Sequence, residues 1–315
     1  MTDQQLAVRA NGLRRSFGDV VAVDGVALAV PWGGMFGLLG PDGAGKSTLI
    51  RMLATTLVPD AGDADVFGLS VTAEAKRVRP RIGYMSQRFS MYPDLSVTEN
   101  MDFFATIRGL DKATRRQRGT ALLAAMGLAE FADRQAMHLS GGMKQKLMLA
   151  TTLMHQPDLL LLDEPTTGVD PVSRREFWRI LAGLHRGGTT VLVATPYMDE
   201  AERCTRIAFM DSGRIRQSGT PAEIKALVPG RLIEVTIGDS RAGVPVLASV
   251  PGVRSTHPLG DTVRVIWDGS DDPTYTLGAA LDAAGLHGAT VQQIPMDMET
   301  VFAYLAENTD AGALP

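Results

Sequence analysis

Gly40-Pro41-Asp42-Gly43-Ala44-Gly45-Lys46-Ser47 spells G-x-x-x-x-G-K-[ST] and lies between the apolar run Gly37-Leu38-Leu39 and the helically spaced Ser47-Thr48-Leu49-Ile50-Arg51-Met52-Leu53. Glycines in such a loop let successive backbone N–H groups turn inward around phosphates, and the helix that follows presents its positive end to the anion. Lys46 is placed to reach the β and γ oxygens and Ser47 to ligate Mg²⁺, with Thr48 in the opening turn behind it. A strand before the loop and a helix after it separate this motif from a chance glycine-rich turn, so the residues point to a bound nucleoside triphosphate.

The remaining composition narrows the class. At 315 residues with 45% hydrophobic side chains, the chain has length and apolar content for two globular domains. A net charge of −4 and a pI near 5.8 give no electrostatic footprint for nucleic acid, and Arg115-Arg116-Gln117-Arg118 reads as a solvated helix face. The single cysteine, Cys204, allows no internal disulfide and no cysteine-based metal cluster, which fits a reducing compartment. Met1 to Ala10 lacks the apolar core of a secretory signal, and the most hydrophobic stretch, Val20 to Leu39, is interrupted by Asp24, Pro31 and glycines. Membrane association is therefore expected only through a partner.

Along the chain, Val20 to Val30 alternates as a strand and gives a β-rich lead-in to the phosphate loop. From Tyr92 to Leu153 the pattern turns helical, with apolar faces over Val97 to Ile107, Ala121 to Met126 and Met143 to Leu153, so a helical insertion is expected at about 88–155. Leu159-Leu160-Leu161-Leu162 and Thr190-Val191-Leu192-Val193-Ala194 are short continuous apolar runs, as parallel strands buried on both faces require. A boundary is expected at Ala226 to Arg231, giving domains 1–225 and 226–315. In the second, strands at Leu232 to Ile237, Val253 to Thr256, Thr262 to Trp267 and Thr290 to Ile294 alternate with helices at Val244 to Val250 and Thr274 to Ala284, and a final helix spans Met298 to Ala306. That βαββαβ order is the split-βαβ pattern of a ferredoxin-like unit.

Two carboxylates, Asp163 and Glu164, close the Leu159–Leu162 run, at the strand end where α/β sheets hold ligands. Asp163 is placed to hold Mg²⁺ and Glu164 to orient and polarise the water that attacks the γ-phosphate. Leu139-Ser140-Gly141-Gly142-Met143-Lys144-Gln145 supplies a helix cap, Ser140, followed by open backbone N–H groups at Gly141 and Gly142, a second anion site.

Together these motifs resemble the ATP-binding cassette family over roughly Val8 to Pro221. Two residues, Met143 and Lys144, separate Gly142 from Gln145 where the family more often has one. The resemblance implies an α/β P-loop NTPase cassette with a helical insertion and an appended small α+β ferredoxin-like domain, binding ATP and Mg²⁺. It assigns Phe17 to stacking on adenine and Gln87 to sensing Mg²⁺ and the γ-phosphate. Ser140, Gly141, Gly142 and Gln145 become the signature acting in trans, and Thr167-Gly168-Val169-Asp170 a D-loop with Val169 for the usual leucine. Lys46, Gln87 and Glu164 form the catalytic set, and Ser47, Gln87 and Asp163 the magnesium set. Asp42 stands where the family commonly has asparagine.

Pro196 departs from that pattern more seriously. It occupies the place of a histidine that contacts the γ-phosphate, and proline carries neither a side-chain donor nor a backbone N–H. One lost transition-state donor costs about 10²–10³ in rate. The resemblance implies a dimer, homotypic or heterotypic, because each ATP is sandwiched between one subunit's phosphate loop and the other's signature. Met85-Ser86-Gln87-Arg88-Phe89-Ser90-Met91-Tyr92-Pro93 and the appended domain resemble ATPases of ABC-2-type exporters, which implies a separate membrane permease and a cytoplasmic, peripheral location on it. Phe89, Met91 and Tyr92 are candidates for its docking groove. The competing readings are a soluble cassette ATPase, opposed by the single cassette and the lack of coiled coil, and a nucleotide-gated structural subunit, favoured by Pro196 and opposed by Glu164.

Overall fold

The computed structural model describes residues 5–309. Two twelve-residue strands, β1 (Leu6–Phe17) and β2 (Val20–Pro31), pair antiparallel, and β3 (Met35–Leu39) carries the chain into the phosphate loop and helix α1 (Lys46–Leu53). Strands β4 (Ala61–Val66) and β5 (Leu69–Ser70) extend the hairpin into a four-stranded sheet of order β2-β1-β4-β5. A short α2 (Ala75–Val78) and β6 (Ile82–Met85) lead to the helical insertion, α3 (Val97–Ile107), α4 (Lys112–Ala125) and α5 (Gly141–Leu153). Then come β7 (Leu159–Asp163), α6 (Pro171–Arg186), β8 (Thr190–Thr195), β9 (Arg206–Asp211), β10 (Arg214–Gly219) and α7 (Pro221–Lys225).

The central sheet has the order β10-β9-β3-β8-β7-β6, with β3, β8, β9 and β6, β7, β8 paired in parallel. Every residue of β3, β7 and β8 is buried, which explains their uninterrupted apolar runs. Helix α1 fills the space between the two sheets: Leu49, Ile50 and Leu53 pack in one core with Val8, Leu13, Val30, Leu38, Leu161 and Leu192. Burial on both sides thus fixes the helix whose first turn contains Lys46 and Ser47.

The helices begin where side chains satisfy their first N–H groups. Ser96 and Glu99 form a reciprocal capping box on α3, Asp111 caps α4, Ser140 caps α5 through Met143 N at 3.3 Å, and Asp170 caps α6. Helix α5 therefore starts at Gly141 rather than at Met143. Helix α4 starts at Lys112, nine residues before Ala121, because Asp111 nucleates a turn whose Arg-rich face has no apolar period to betray it.

The chain divides into two compact units, one ending at Ser218 and the other starting at Gly219. This corrects the expected boundary at Ala226 to Arg231. Thr220 caps α7 in its own capping box with Glu223, and α7 packs on the C-terminal helix, so it goes with the second unit. That unit contains β11 (Arg231–Thr236), α8 (Ser240–Ala248), β12 (Val253–Leu259), β13 (Thr262–Trp267), α9 (Pro273–Ala283), β14 (Thr290–Ile294) and α10 (Met298–Thr309). Its sheet runs antiparallel in the order β12-β13-β11-β14, the ferredoxin-like arrangement. Ile233, Val235, Val263, Val265 and Trp267 pack against Leu247, Leu277 and Leu281 of α8 and α9. Among the described residues no helix is long and apolar enough to cross a membrane.

Candidate functional site

The site forms where β3, β7 and β8 end. The loop after β3 is pressed between backbone carbonyls: a Cβ on Gly40 would lie 2.0 Å from Met210 O, and one on Gly45, whose φ is +101°, 2.1 Å from Ala22 O. Only glycine fits at either place, which is the physical content of the motif's first and sixth positions. Gly213 N donates to Ala44 O at 3.0 Å and holds the loop from a third side. Pro41, Asp42 and Gly43 are exposed at its tip, so the Asp42 carboxylate is solvated.

Lys46 is 3% exposed and donates from Nζ to Gly40 O and Pro41 O, each at 2.8 Å, with Glu164 Oε1 at 3.7 Å. Burial holds the Lys46 pKa below the usual lysine value, against the opposing charges of Glu164, Asp42 and Asp163. Ser47 Oγ donates to Asp163 Oδ1 at 2.8 Å, and burial pushes the Asp163 carboxyl up while that hydrogen bond pulls it down. Two of the three expected magnesium residues thus meet, while the third, Gln87, gives its amide N–H to Glu164. A hydroxyl and a carboxylate oxygen are hard donors of the kind Mg²⁺ takes beside phosphate oxygens, so the pair fits that ion. No cluster of three or more His, Cys, Asp or Glu side chains able to hold a metal occurs among the described residues.

Glu164 leaves the strand with φ +48°, an uncommon conformation for a residue with a side chain, and Glu164 N donates to Ala194 O at 2.9 Å. Its carboxylate accepts from Gln87 Nε2 at 2.8 Å and from Thr167 Oγ1 at 3.2 Å. Gln87, Lys46 and Glu164 are therefore one connected group. Phe17, at the turn joining β1 and β2, is 46% exposed with the Arg15 guanidinium 5.1 Å from its ring centre. It pairs with Val20, two residues from the Ala22 carbonyl that bears on Gly45.

Ser140 and Gly141 are exposed at the start of α5, Gly142 is buried, and Gln145 lies half-buried in the following turn. A Cβ on Gly142 would come within 2.5 Å of Ser173 Cβ and Oγ in α6, so the signature and the D-loop meet by close approach. Asp170 accepts from Val172 N and Ser173 N at 3.0 and 2.9 Å and fixes the end of that loop. Pro196 is half-buried after β8. The hydroxyl of Thr195 before it is committed elsewhere, donating to Glu200 Oε2 at 2.6 Å, and the Tyr197 ring after it lies under Arg174 at 4.7 Å.

Two buried polar residues had no signal in the sequence. Asn100 accepts from Tyr92 N at 2.8 Å and donates to Tyr92 O, Leu95 O and Ser96 O, which pins the loop that follows Gln87. Glu200, 1% exposed, sits in Asp199-Glu200-Ala201-Glu202, which reads as a solvated acidic run.

A glycine-cradled lysine, a Ser–Asp pair and a Gln-oriented Glu on the strand ends define a P-loop nucleotide-binding cassette. The ABC transporter family profile matches residues 23–167. Over 293 residues the chain is 40% identical to the daunorubicin/doxorubicin resistance ATP-binding protein DrrA of Streptomyces peucetius, covering 91% of this chain and 87% of that one. The chain belongs to the ABC transporter family, as an ATP-binding cassette. It is also 44% identical over 225 residues to the probable multidrug ABC transporter ATP-binding protein YbhF of Escherichia coli (strain K12), and that match takes in 71% of this chain but 39% of YbhF. Among solved structures, the dimeric post-hydrolysis state of the cassette MJ0796 bound to ADP and Pi aligns with a TM-score of 0.63 at 25% identity, over 68% of this chain and 98% of that one.

Proposed function

We propose that the chain binds and hydrolyses ATP to power export through a separate ABC-2-type membrane permease, to which it is peripheral on the cytoplasmic side. The observation that carries the reading is the convergence of Lys46, Ser47, Asp163, Gln87 and Glu164 at one set of strand ends. Lys46 and the loop N–H groups hold the phosphates, and Ser47 and Asp163 hold Mg²⁺. When bound, that ion neutralises charge on the transferring phosphoryl group. Glu164, held by Gln87 and Thr167, orients the attacking water and accepts its proton. Ser140, Gly141 and Gly142 at the exposed start of α5 serve the partner cassette's nucleotide, and the sequence admits either a homodimer or a heterodimer.

The names of DrrA and YbhF, resistance and multidrug ATP-binding proteins, support the export reading. Tyr92, Phe103 and Ile107 are large, exposed side chains on the helical insertion, and Tyr92 meets Phe103 edge-on at 4.8 Å. Exposed apolar side chains of this kind suit a permease segment better than water. Pro196 sets the intrinsic rate low, because proline has no donor to offer there and the Thr195 hydroxyl is already given to Glu200. Steady-state Mg²⁺-ATP hydrolysis with Glu164→Gln as blank tests the reading: turnover above the blank supports it, and turnover equal to the blank, with ATP bound, overturns self-sufficient hydrolysis.

A further inference from the structure

Glu200 accepts three hydrogen bonds in the interior. Thr166 Oγ1 donates to Oε1 at 2.8 Å, Trp178 Nε1 to the same oxygen at 2.7 Å, and Thr195 Oγ1 to Oε2 at 2.6 Å. Tyr197 N in turn donates to Thr195 Oγ1 at 3.1 Å. Three side chains converge on this one carboxyl group, and such bonds are strong where water is excluded. The donors come from three places: the loop between Glu164 and Asp170, the scaffold helix α6, and the end of β8 next to Pro196.

Thr166 and Thr167 are adjacent, and their hydroxyls go to different carboxylates, Thr166 to Glu200 and Thr167 to Glu164. The segment that carries the catalytic carboxylate is thereby tied to the core two residues on, at Thr166. Its backbone at Glu164 is in the left-handed region, which persists only where surrounding contacts over-determine it. We infer that Glu200 is a positioning residue for Glu164: it locks the 164–170 loop and the segment after β8 to α6, and so sets the placement of the water-orienting carboxylate. This inference rests on the reading that the chain hydrolyses ATP.

Three variants of the full chain separate positioning from bulk stability. Thr166→Val removes the donor on the catalytic loop while keeping the branched shape. Trp178→Phe removes a donor to the same oxygen on the scaffold side. Glu200→Gln keeps an oxygen for Thr166 and Trp178 but turns an N–H toward Thr195, whose hydroxyl then has no acceptor there. Amide hydrogen exchange by mass spectrometry and steady-state kinetics read all three. In Thr166→Val, exchange in 164–170 speeds up and kcat falls about 10- to 100-fold with KM for ATP unchanged, the scale of a small misplacement of a catalytic group. In Trp178→Phe the melting temperature drops while kcat holds, and in Glu200→Gln faster exchange is confined to 195–199. Unchanged exchange of 164–170 in Thr166→Val, or equal kcat losses in Thr166→Val and Trp178→Phe that follow melting temperature, would overturn the inference. The exchange arm decides even if the wild-type chain shows no turnover, an outcome that counts against the hydrolysis reading alone.

Discussion

Pro196 and Asp163 place opposite demands on the site, and each yields a measurable consequence. Proline at the end of β8 offers no donor to a γ-phosphate, and the neighbouring Thr195 hydroxyl is engaged with Glu200. Pro196→His should therefore raise kcat by up to about 10²-fold, the worth of one transition-state donor, with little change in KM. A histidine variant no faster than wild type in steady-state hydrolysis would show that the position is not limiting. Asp163 is buried, and burial raises its carboxyl above the usual value. A raised folded-state pKa contributes stability at low pH that is lost as pH rises through that pKa. Asp163→Asn keeps an oxygen for the Ser47 hydroxyl, so without nucleotide it should melt above wild type at pH 7 to 8. The gain should vanish near the ordinary aspartate range, about pH 4, while the stabilisation by Mg²⁺-ATP is lost. Differential scanning fluorimetry across pH checks this, and melting curves that coincide at every pH would contradict it. Lys46, Ser47, Asp163 and Glu164 were legible in the sequence because phosphate chemistry fixes their spacing. Glu200 was not, because its partners Thr166, Trp178 and Thr195 are brought to it by the fold from separate segments.

Helix α5 starts two residues earlier than its apolar pattern. Glycine is a poor helix former, and the helical pattern begins at Met143, but Ser140, the expected cap, already starts the helix at Gly141. Their real constraint is space. With Ser173 atoms 2.5 Å from an added Cβ, Gly142→Ala must push the start of α5 away from α6, an overpacking cost of about 1–3 kcal/mol. Ser173→Gly removes the obstructing side chain, so the double variant should recover most of the lost melting temperature. Additive losses in a double-mutant cycle would contradict that contact. The buried strands were readable as unbroken apolar runs, whereas β1 and β4 were not. Arg9 on β1 and Asp65 on β4 each lie between two buried neighbours, Arg14, Arg15 and Asp63 add further charge to these strands, and register shifts between β1 and both partners break the alternation.

Two cores in one chain make the whole molecule divisible in energy as well as in sequence. The first unit contains every residue assigned to the nucleotide, and the second has its own closed set of apolar contacts around Trp267. The ferredoxin-like order was legible because its strands are short, its turns regular and its outer face polar, with Arg264 paired to Glu234 at 3.0 Å and also to Asp297. The position of the break was not, since α7 is a single amphipathic turn whose ownership depends on α10. Scanning calorimetry should resolve two transitions. Mg²⁺-ATP at 100 times its dissociation constant stabilises a binding unit by about 2.7 kcal/mol, and that shift should fall on the first unit alone. Trp267 is 1% exposed and a Cβ on Gly269 would lie 2.5 Å from its ring, so the indole fills its space without slack. Trp267→Ala should therefore destabilise the second unit by about 3–5 kcal/mol and lower only its transition. If instead nucleotide and Trp267→Ala both move one single transition, the two cores unfold as one, and ATP binding at Lys46 is energetically coupled to the ferredoxin-like unit.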